Sequence, residues 1–296
     1  VSAHDGHDQG DNQAREAIAG SRGAPPWRVQ GGALLLYSTL LYQTKDAPML
    51  LKDKTLIITG ASMGIGRALA EALAVLGAKL VLNARGPEAL EEAWQSCDMV
   101  AAKAVPVPGD CSKASTVKAL VDAARELGDF TGFIHCAAVL RPGPLVWEMD
   151  GAGFDEIFTS NVKAAWQLAR FCAPELAKSG QGLAVFVGSG AASVTQKGIG
   201  LYCAAKAAEE HFCRQLAAEA PWLTSFVYRP GLVDTRMQEQ ARNAVGGGGE
   251  ALRALYRPWL ERGKLIMPEM SAMGLIRILM RDWHGLSGKT FDVRDL

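Results

Sequence analysis

The chain has 296 residues, and its 31 Lys+Arg are balanced by 31 Asp+Glu. That balance excludes a broad electrostatic footprint for nucleic acid or for an anionic membrane surface. With 49% hydrophobic and 21% charged residues, the chain is too apolar to be disordered and long enough to bury a sizeable core.

Residues 1–32 are rich in Gly, Ala, Asp and Gln and show no apolar period. They read as part of an N-terminal extension, residues 1–49, that is disordered or loosely docked. Asp5, Asp8, Asp11 and Glu16 argue against a transit peptide, which is poor in acids. The run Ala33–Tyr42 falls well short of the roughly 20 residues of a bilayer span. It reads either as a helix packed on the body or as the remnant of a targeting signal, which leaves organellar delivery open. From residue 50 to 296 short aliphatic runs alternate with Ala-rich stretches. Strands are predicted at 56–59, 79–83, 104–107, 132–135, 183–187, 225–228 and 290–293. Helices are predicted from 65 to 76, from 87, over 113–127, as one long helix over 154–177, and over 201–218. Alternation of this kind implies right-handed βαβ units: one α/β domain, a doubly wound parallel sheet with helices on both faces. Gly246–Gly249 reads as a flexible, poorly packed run, a hinge in a lid formed by residues 236–267.

The first strand runs into Thr59-Gly60-Ala61-Ser62-Met63-Gly64-Ile65-Gly66, and a helix follows. Glycines there let the backbone turn tightly and approach a pyrophosphate at the helix N-terminus, where free N–H groups point. The second strand ends Asn83-Ala84-Arg85. An acid at this place would bind the ribose 2′-hydroxyl of NAD, whereas Arg85 favours the 2′-phosphate of NADP(H).

Tyr202 and Lys206 lie four apart on a helix and share a face. Ser189 ends the fifth strand, Asn161 lies in the long helix before it, and Pro230-Gly231-Leu232-Val233-Asp234-Thr235 follows the sixth. Hydride delivery to a carbonyl leaves an alkoxide that needs a proton. A free phenol has a pKa near 10, and an adjacent ammonium lowers it. A serine hydroxyl can hold the carbonyl oxygen as charge develops on it.

With those residues assembled, residues 52–296 resemble the short-chain dehydrogenase/reductase family, which has a single Rossmann-like domain. T-G-x-x-x-G-I-G at 59–66, Asn161, Ser189, Tyr202, Lys206 and P-G-x-x-x-T at 230–235 stand in the family's order and spacing. The resemblance implies Tyr202 as general acid/base and Lys206 as the residue that binds the ribose and activates Tyr202. It implies Ser189 as the substrate carbonyl's partner and Asn161 as holder of a relay water. It also implies cofactor contacts from Gly60, Ser62, Met63, Gly64, Ile65, Gly66, Arg85, Asp110, Cys111, Ala137, Pro230, Gly231, Val233 and Thr235. One departure is His135-Cys136-Ala137-Ala138, where the family usually has N-N-A-G. It weakens the expected sheet bracing and the close cofactor approach at Ala138.

The stretch Asp234-Thr235-Arg236-Met237-Gln238 looks like the sepiapterin reductase and benzil reductase branch. That resemblance implies an NADPH-dependent carbonyl reductase of a ketone or dicarbonyl. Leu140, Trp147 and Met237 are candidate substrate walls, and Asp292 is a candidate anchor for a pterin, or else only the end of the last strand. Two alternatives stay open: a catalytically silent NADP-binding regulator, motivated by residues 135–138, and an NAD-linked alcohol dehydrogenase. The six cysteines, at 97, 111, 136, 172, 203 and 213, make no C-x-x-C pair, and the histidines at 4, 7, 135, 211 and 284 have no ligand set beside them. No metal site is therefore expected. The expected setting is a reducing, cytoplasmic compartment with a small-molecule carbonyl substrate, no nucleic acid and no membrane. By resemblance a homodimer or homotetramer is expected.

Overall fold

The strand-forming run Thr55–Thr59 is buried at all five positions, the mark of a strand covered on both faces. It is β1 of a seven-stranded sheet with β2 (Lys79–Asn83), β3 (Ala104–Pro106), β4 (Phe130–His135), β5 (Gly182–Val187), β6 (Leu223–Arg229) and β7 (Thr290–Asp292). The computed structural model describes residues 50–98 and 103–296. The N-terminal extension, with its run Ala33–Tyr42, lies outside the described residues. The strand order is β3-β2-β1-β4-β5-β6-β7, and every neighbouring pair is parallel. The chain winds outward from β1 to β3, then returns and winds the other way from β4. The switch lies between β1 and β4, where an open α/β sheet places its ligand crevice, outside the strands' carboxyl ends.

The connecting helices are α1 (Gly64–Val75), α2 (Pro87–Asp98), α3 (Ala114–Leu127), α4 (Gly151–Phe158), α5 (Ala164–Leu176) and α6 (Gly200–Glu219). They are followed by α7 (Arg236–Arg242), α8 (Gly249–Glu261) and α9 (Pro268–Leu279). On one face Val117, Leu120, Leu168, Cys172 and Cys213, from α3, α5 and α6, bury Val81, Phe133 and Phe186. On the other α1 and α9 pack together.

The long helix predicted over 154–177 is present, but its winding changes part-way. It starts at Gly151, capped by the Asp150 carboxylate on the Gly153 N–H at 2.7 Å. It then loosens into a π-turn over Thr159–Lys163 before α5. The cause is local. The Asn161 Nδ2 donates to the Ile157 carbonyl at 2.7 Å, a carbonyl that a regular helix would give to its own N–H groups.

Gly246–Gly249 also departs from expectation. Instead of a loose hinge, three backbones cross there at close range. The Gly248 N–H donates to the Gly143 carbonyl and the Gly143 N–H to the Gly198 carbonyl, both at 2.8 Å. The Glu148 carboxylate accepts from the N–H groups of Gly247 at 3.0 Å and Leu145 at 2.9 Å. A Cβ on Gly248 would lie 2.3 Å from the Gly198 Cα, so the glycines serve close approach rather than freedom. Gly248→Ala is expected to cost about 1–3 kcal/mol of stability, read as a lower denaturant midpoint at unchanged slope.

Candidate active site

A cleft of about 1440 Å³ runs along the carboxyl edge of the sheet at the switch point. Each strand end contributes to it: Gly60, Ser62, Met63, Gly64, Ile65 and Gly66 after β1, Arg85 after β2, Asp110 and Cys111 after β3, Ala137 and Leu140 after β4. Thr235 and Met237 close it after β6. Helix α1 begins at Gly64 with no side chain capping it, so its first N–H groups face this space unclaimed. Gly60 and Gly64 hold φ of +68° and +56°, and the nearest atom to a Cβ on Gly64 would be Thr235 Cγ2 at 3.4 Å. A Cβ there would project into the cradle. These features fit a dinucleotide: bare helix-end donors, a backbone free of side chains, and Arg85 at the rim with its side chain 63% exposed.

Four predicted cofactor contacts sit differently. Cys111 lines the cleft but is largely buried, and burial pushes its thiol up to about 12, so it offers surface and not a thiolate. Pro230, Gly231 and Val233 are not among the lining residues. The Pro230 carbonyl accepts from Ser271 Oγ at 3.0 Å. A Cβ on Gly231 would meet Val293 at 2.6 Å, and Val233 is buried and bridged to Ile266. This segment packs into the body and lets only Asp234 and Thr235 reach the cleft.

Asn161, Ser189, Tyr202 and Lys206 do not line the cleft itself; they sit behind it, Tyr202 lining a small adjoining pocket whose residues Leu140, Arg141, Pro144 and Met149 also line the cleft. Ser189 Oγ caps a short 3-10 turn by accepting from the Ala191 N–H at 3.1 Å and lies close enough to the Tyr202 phenol to lower its pKa. Tyr202 is 6% exposed. It sits in an apolar cluster with Leu140, Ile199, Ala241, Ala244 and Leu252, against which Met237 and Tyr256 pack. Helices α7 and α8 thus cover it. Lys206 Nζ donates to the Val187 carbonyl at 2.8 Å and to Glu209 Oε2 at 2.7 Å. Burial raises the phenol's pKa; Lys206 and Ser189 pull it down, and burial prevails. The ammonium acts in the expected direction, but the net shift is upward because Tyr202 is almost fully desolvated.

Asn161 is wholly buried and its amide braces the segment after β4. Nδ2 donates to the Val139 carbonyl at 2.9 Å, and Oδ1 accepts from the Val139 N–H at 3.3 Å. The departure at 135–138 is braced in its own way. His135 Nδ1 lies 2.8 Å from Thr59 Oγ1, and its Nε2 lies 3.4 Å from the Asn161 carbonyl. Burial pushes the imidazole down to about 3, so it is neutral, with one nitrogen accepting and the other donating.

A family model described as short chain dehydrogenase matches residues 54–246. The chain belongs to the short-chain dehydrogenase family. It is an oxidoreductase of that family, which binds a nicotinamide cofactor. Sepiapterin reductase of Bos taurus is 32% identical over 245 residues, covering 76% of this chain and 89% of the bovine enzyme. Benzil reductase ((S)-benzoin forming) of Saccharomyces cerevisiae is 30% identical, covering 77% of this chain and 90% of the yeast enzyme. The crystal structure of a short-chain dehydrogenase/reductase from the same yeast superposes with a TM-score of 0.73 at 27% identity, covering 82% of this chain and 96% of that one.

Among the predicted substrate residues, Leu140 and Met237 lie together between the cleft and Tyr202. Trp147 does not: it is 82% exposed and lines no part of the cleft. It lies within the Leu145–Glu148 turn that Glu148 anchors, and that turn presents the indole to solvent. Asp292 is likewise displaced from its expected role. Its carboxylate is taken by Arg294, with Nε at 2.7 Å and Nη2 at 2.5 Å, and it does not line the cleft. The guanidinium two residues on holds the carboxyl below its usual range.

Sequence reasoning missed three groups here. Glu156 lies between two arginines of the cleft rim, ion-paired with Arg141 and 3.8 Å from Arg85 Nη1. Nothing in their spacing (85, 141, 156) signals this, because the three come from separate elements. Glu148 ties the turn after β4 to the lid. Glu209, fully buried beside Lys206, was legible as K-x-x-E on one helical face. Among the described residues no group of three or more His, Cys, Asp or Glu could hold a metal ion, and no helix is long and apolar enough to cross a membrane.

Proposed function

We propose that the chain is an NADPH-dependent carbonyl reductase whose proton donor is Tyr202. The observation that carries this reading is a buried phenol, kept in its protonated form by burial, one helical turn from Lys206 and in a small pocket adjoining a cleft whose lining fits a dinucleotide. The bound cofactor supplies the hydride. The chain's own groups do the rest. Ser189 holds the carbonyl oxygen, and the Tyr202 phenol protonates it as the C=O π pair moves onto it. Lys206 keeps one N–H beyond those given to Val187 and Glu209, which suits a ribose hydroxyl. Asn161 fixes the wall at Val139. The cover of Met237, Leu140 and Tyr256 excludes water from the reacting centre.

Arg85 supports NADPH over NADH, since its exposed guanidinium, 3.8 Å from Glu156, can turn to a 2′-phosphate. The relatives named as sepiapterin and benzil reductases support a conjugated or dicarbonyl substrate. With Asp292 committed to Arg294, a pterin loses its anchor. The apolar wall of Leu140, Met149 and Met237 then favours an aryl or alkyl diketone.

The test is loss of nicotinamide absorbance with benzil, sepiapterin and simple diketones, using NADPH and then NADH. Fast oxidation of NADPH with a diketone is expected. Arg85→Ala should raise the KM for NADPH by about 10–100-fold, the worth of a charged hydrogen bond, and leave that for NADH nearly unchanged. No oxidation by a protein that still binds NADPH would overturn the reductase reading in favour of a silent binding module.

A further inference from the structure

Tyr202, Lys206 and Glu209 stand at i, i+4 and i+7 on α6, so one helical face carries all three. Glu209 is fully buried, its Oε2 is 2.7 Å from Lys206 Nζ, and its Oε1 has no hydrogen-bond partner. Hydride and proton transfer to a carbonyl does not require this acid. Burying a carboxylate with half its acceptor capacity unused is costly, so its presence asks for a reason.

The surroundings supply one. The other titratable groups around Lys206 carry no free charge. His135, on β4, is neutral because burial pushes it down to about 3. The thiols of Cys136, after β4, and Cys213, on α6, are pushed up to about 12 by burial. Glu210, the next residue on α6, is consumed by Arg229 of β6, with contacts at 2.9 and 2.7 Å. Among the described residues, Glu209 is therefore the anion that balances Lys206.

We propose that Glu209 is a positioning residue that neutralises Lys206, holds Tyr202 in its protonated form, and so biases the site toward reduction rather than alcohol oxidation. The inference rests on the reductase reading above. In reduction, hydride adds to the carbonyl carbon and the oxygen takes the phenolic proton, after which water reprotonates the phenolate. In oxidation, a phenolate must be present at the start to take the alcohol's proton. An uncompensated ammonium next to the phenol favours the phenolate. A compensated one does not. Burial pushes the Glu209 carboxyl up to about 7 against the pull of Lys206, so it is ionised throughout the alkaline range where a phenol titrates, and the compensation operates there.

The test uses the full chain, with Glu209→Gln and Glu209→Asp. Glu209→Gln keeps the shape and an acceptor for Lys206 but removes the charge. The alkaline limb of kcat/KM for NADPH-linked reduction should move down by about 1–2 pH units. Alcohol oxidation on the alkaline side of neutral, between pH of about 8 and 9, should rise by about tenfold or more. Glu209→Asp, which keeps the charge, should leave the limb near its original place. A limb unmoved in Glu209→Gln, or moved equally in both variants, overturns the proposal. If Glu209→Gln does not fold, the tyrosinate absorbance difference between the unsubstituted chain and Tyr202→Phe decides. Ionisation of Tyr202 above pH of about 10 supports the proposal, and ionisation near neutrality overturns it. A Tyr202→Phe variant that still turns over would instead sink the reductase reading itself.

Discussion

Tyr202→Phe is expected to lower kcat for carbonyl reduction by a factor of about 10²–10⁴, the usual worth of a positioned general acid. NADPH affinity should stay within about twofold. The other polar groups behind the cleft are each unsuited to give the proton. Ser189 carries a hydroxyl, but an alcohol proton is far less acidic than a phenol's. Lys206 commits two of its three protons to Val187 and Glu209. His135 is neutral and turned between Thr59 and Asn161. Only the Tyr202 phenol is both acidic enough and protonated, since burial holds its pKa above the ordinary value. The ring itself packs on Leu140, Ile199 and Leu252, and Phe keeps that packing, so the fold is left intact. The sign of the pH dependence follows. Because the protonated phenol is the active form in reduction, kcat should be flat through neutral pH and fall only as Tyr202 ionises on the alkaline side. Steady-state kinetics with a fluorescence titration of NADPH would check both halves. Full activity in Tyr202→Phe would assign the proton to another group.

Those residues were readable in advance because each answers to a local rule. The loop at 59–66 needs glycine where the backbone turns left-handed and where α1 meets β1. Tyr202 and Lys206 need only the helical period to share a face. What could not be read depends on distant chain segments meeting. The Gly246–Gly249 run suggested slack, because a string of glycines carries no sign of the Gly143 and Gly198 backbones that press against it. Trp147 suggested a wall because it is large and apolar. Its direction is set by the turn that Glu148 anchors to Gly247, 99 residues away. Asp292 matched a position by alignment of motif, while its partner Arg294 sits two residues on and claims both carboxylate oxygens. The π-turn in the long helix was hidden for the opposite reason. The apolar period runs through 154–177 unbroken, and the Asn161 side chain changes the winding by bonding back to Ile157.

Gly66→Ala is expected to lower NADPH affinity by about 100-fold, equal to about 2.7 kcal/mol, and to cost about 1–3 kcal/mol of stability. A Cβ at this position would lie 2.3 Å from the Gly60 carbonyl oxygen and 3.3 Å from the Cys136 Cβ. Gly60 cannot yield, because its own Cα is pressed to the chain after β4: a Cβ there would sit 2.8 Å from the Ala137 N–H nitrogen. Three backbones meet at one point, so the added methyl must push α1 away from β1. The N–H groups at the start of α1 then leave the place where they converge on a pyrophosphate, and the reach of such contacts is short. Gly86→Ala is the matched control. Gly86 also lines the cleft, but a Cβ there meets nothing within 4 Å, so stability should change by less than about 0.5 kcal/mol. The two glycine variants separate close approach from mere presence in the cleft. Set beside Tyr202→Phe, Gly66→Ala separates binding from chemistry. Saturating NADPH should restore much of kcat in Gly66→Ala and none of it in Tyr202→Phe. If Gly66→Ala bound NADPH as the unsubstituted chain does, the loop at 59–66 would not be the phosphate cradle.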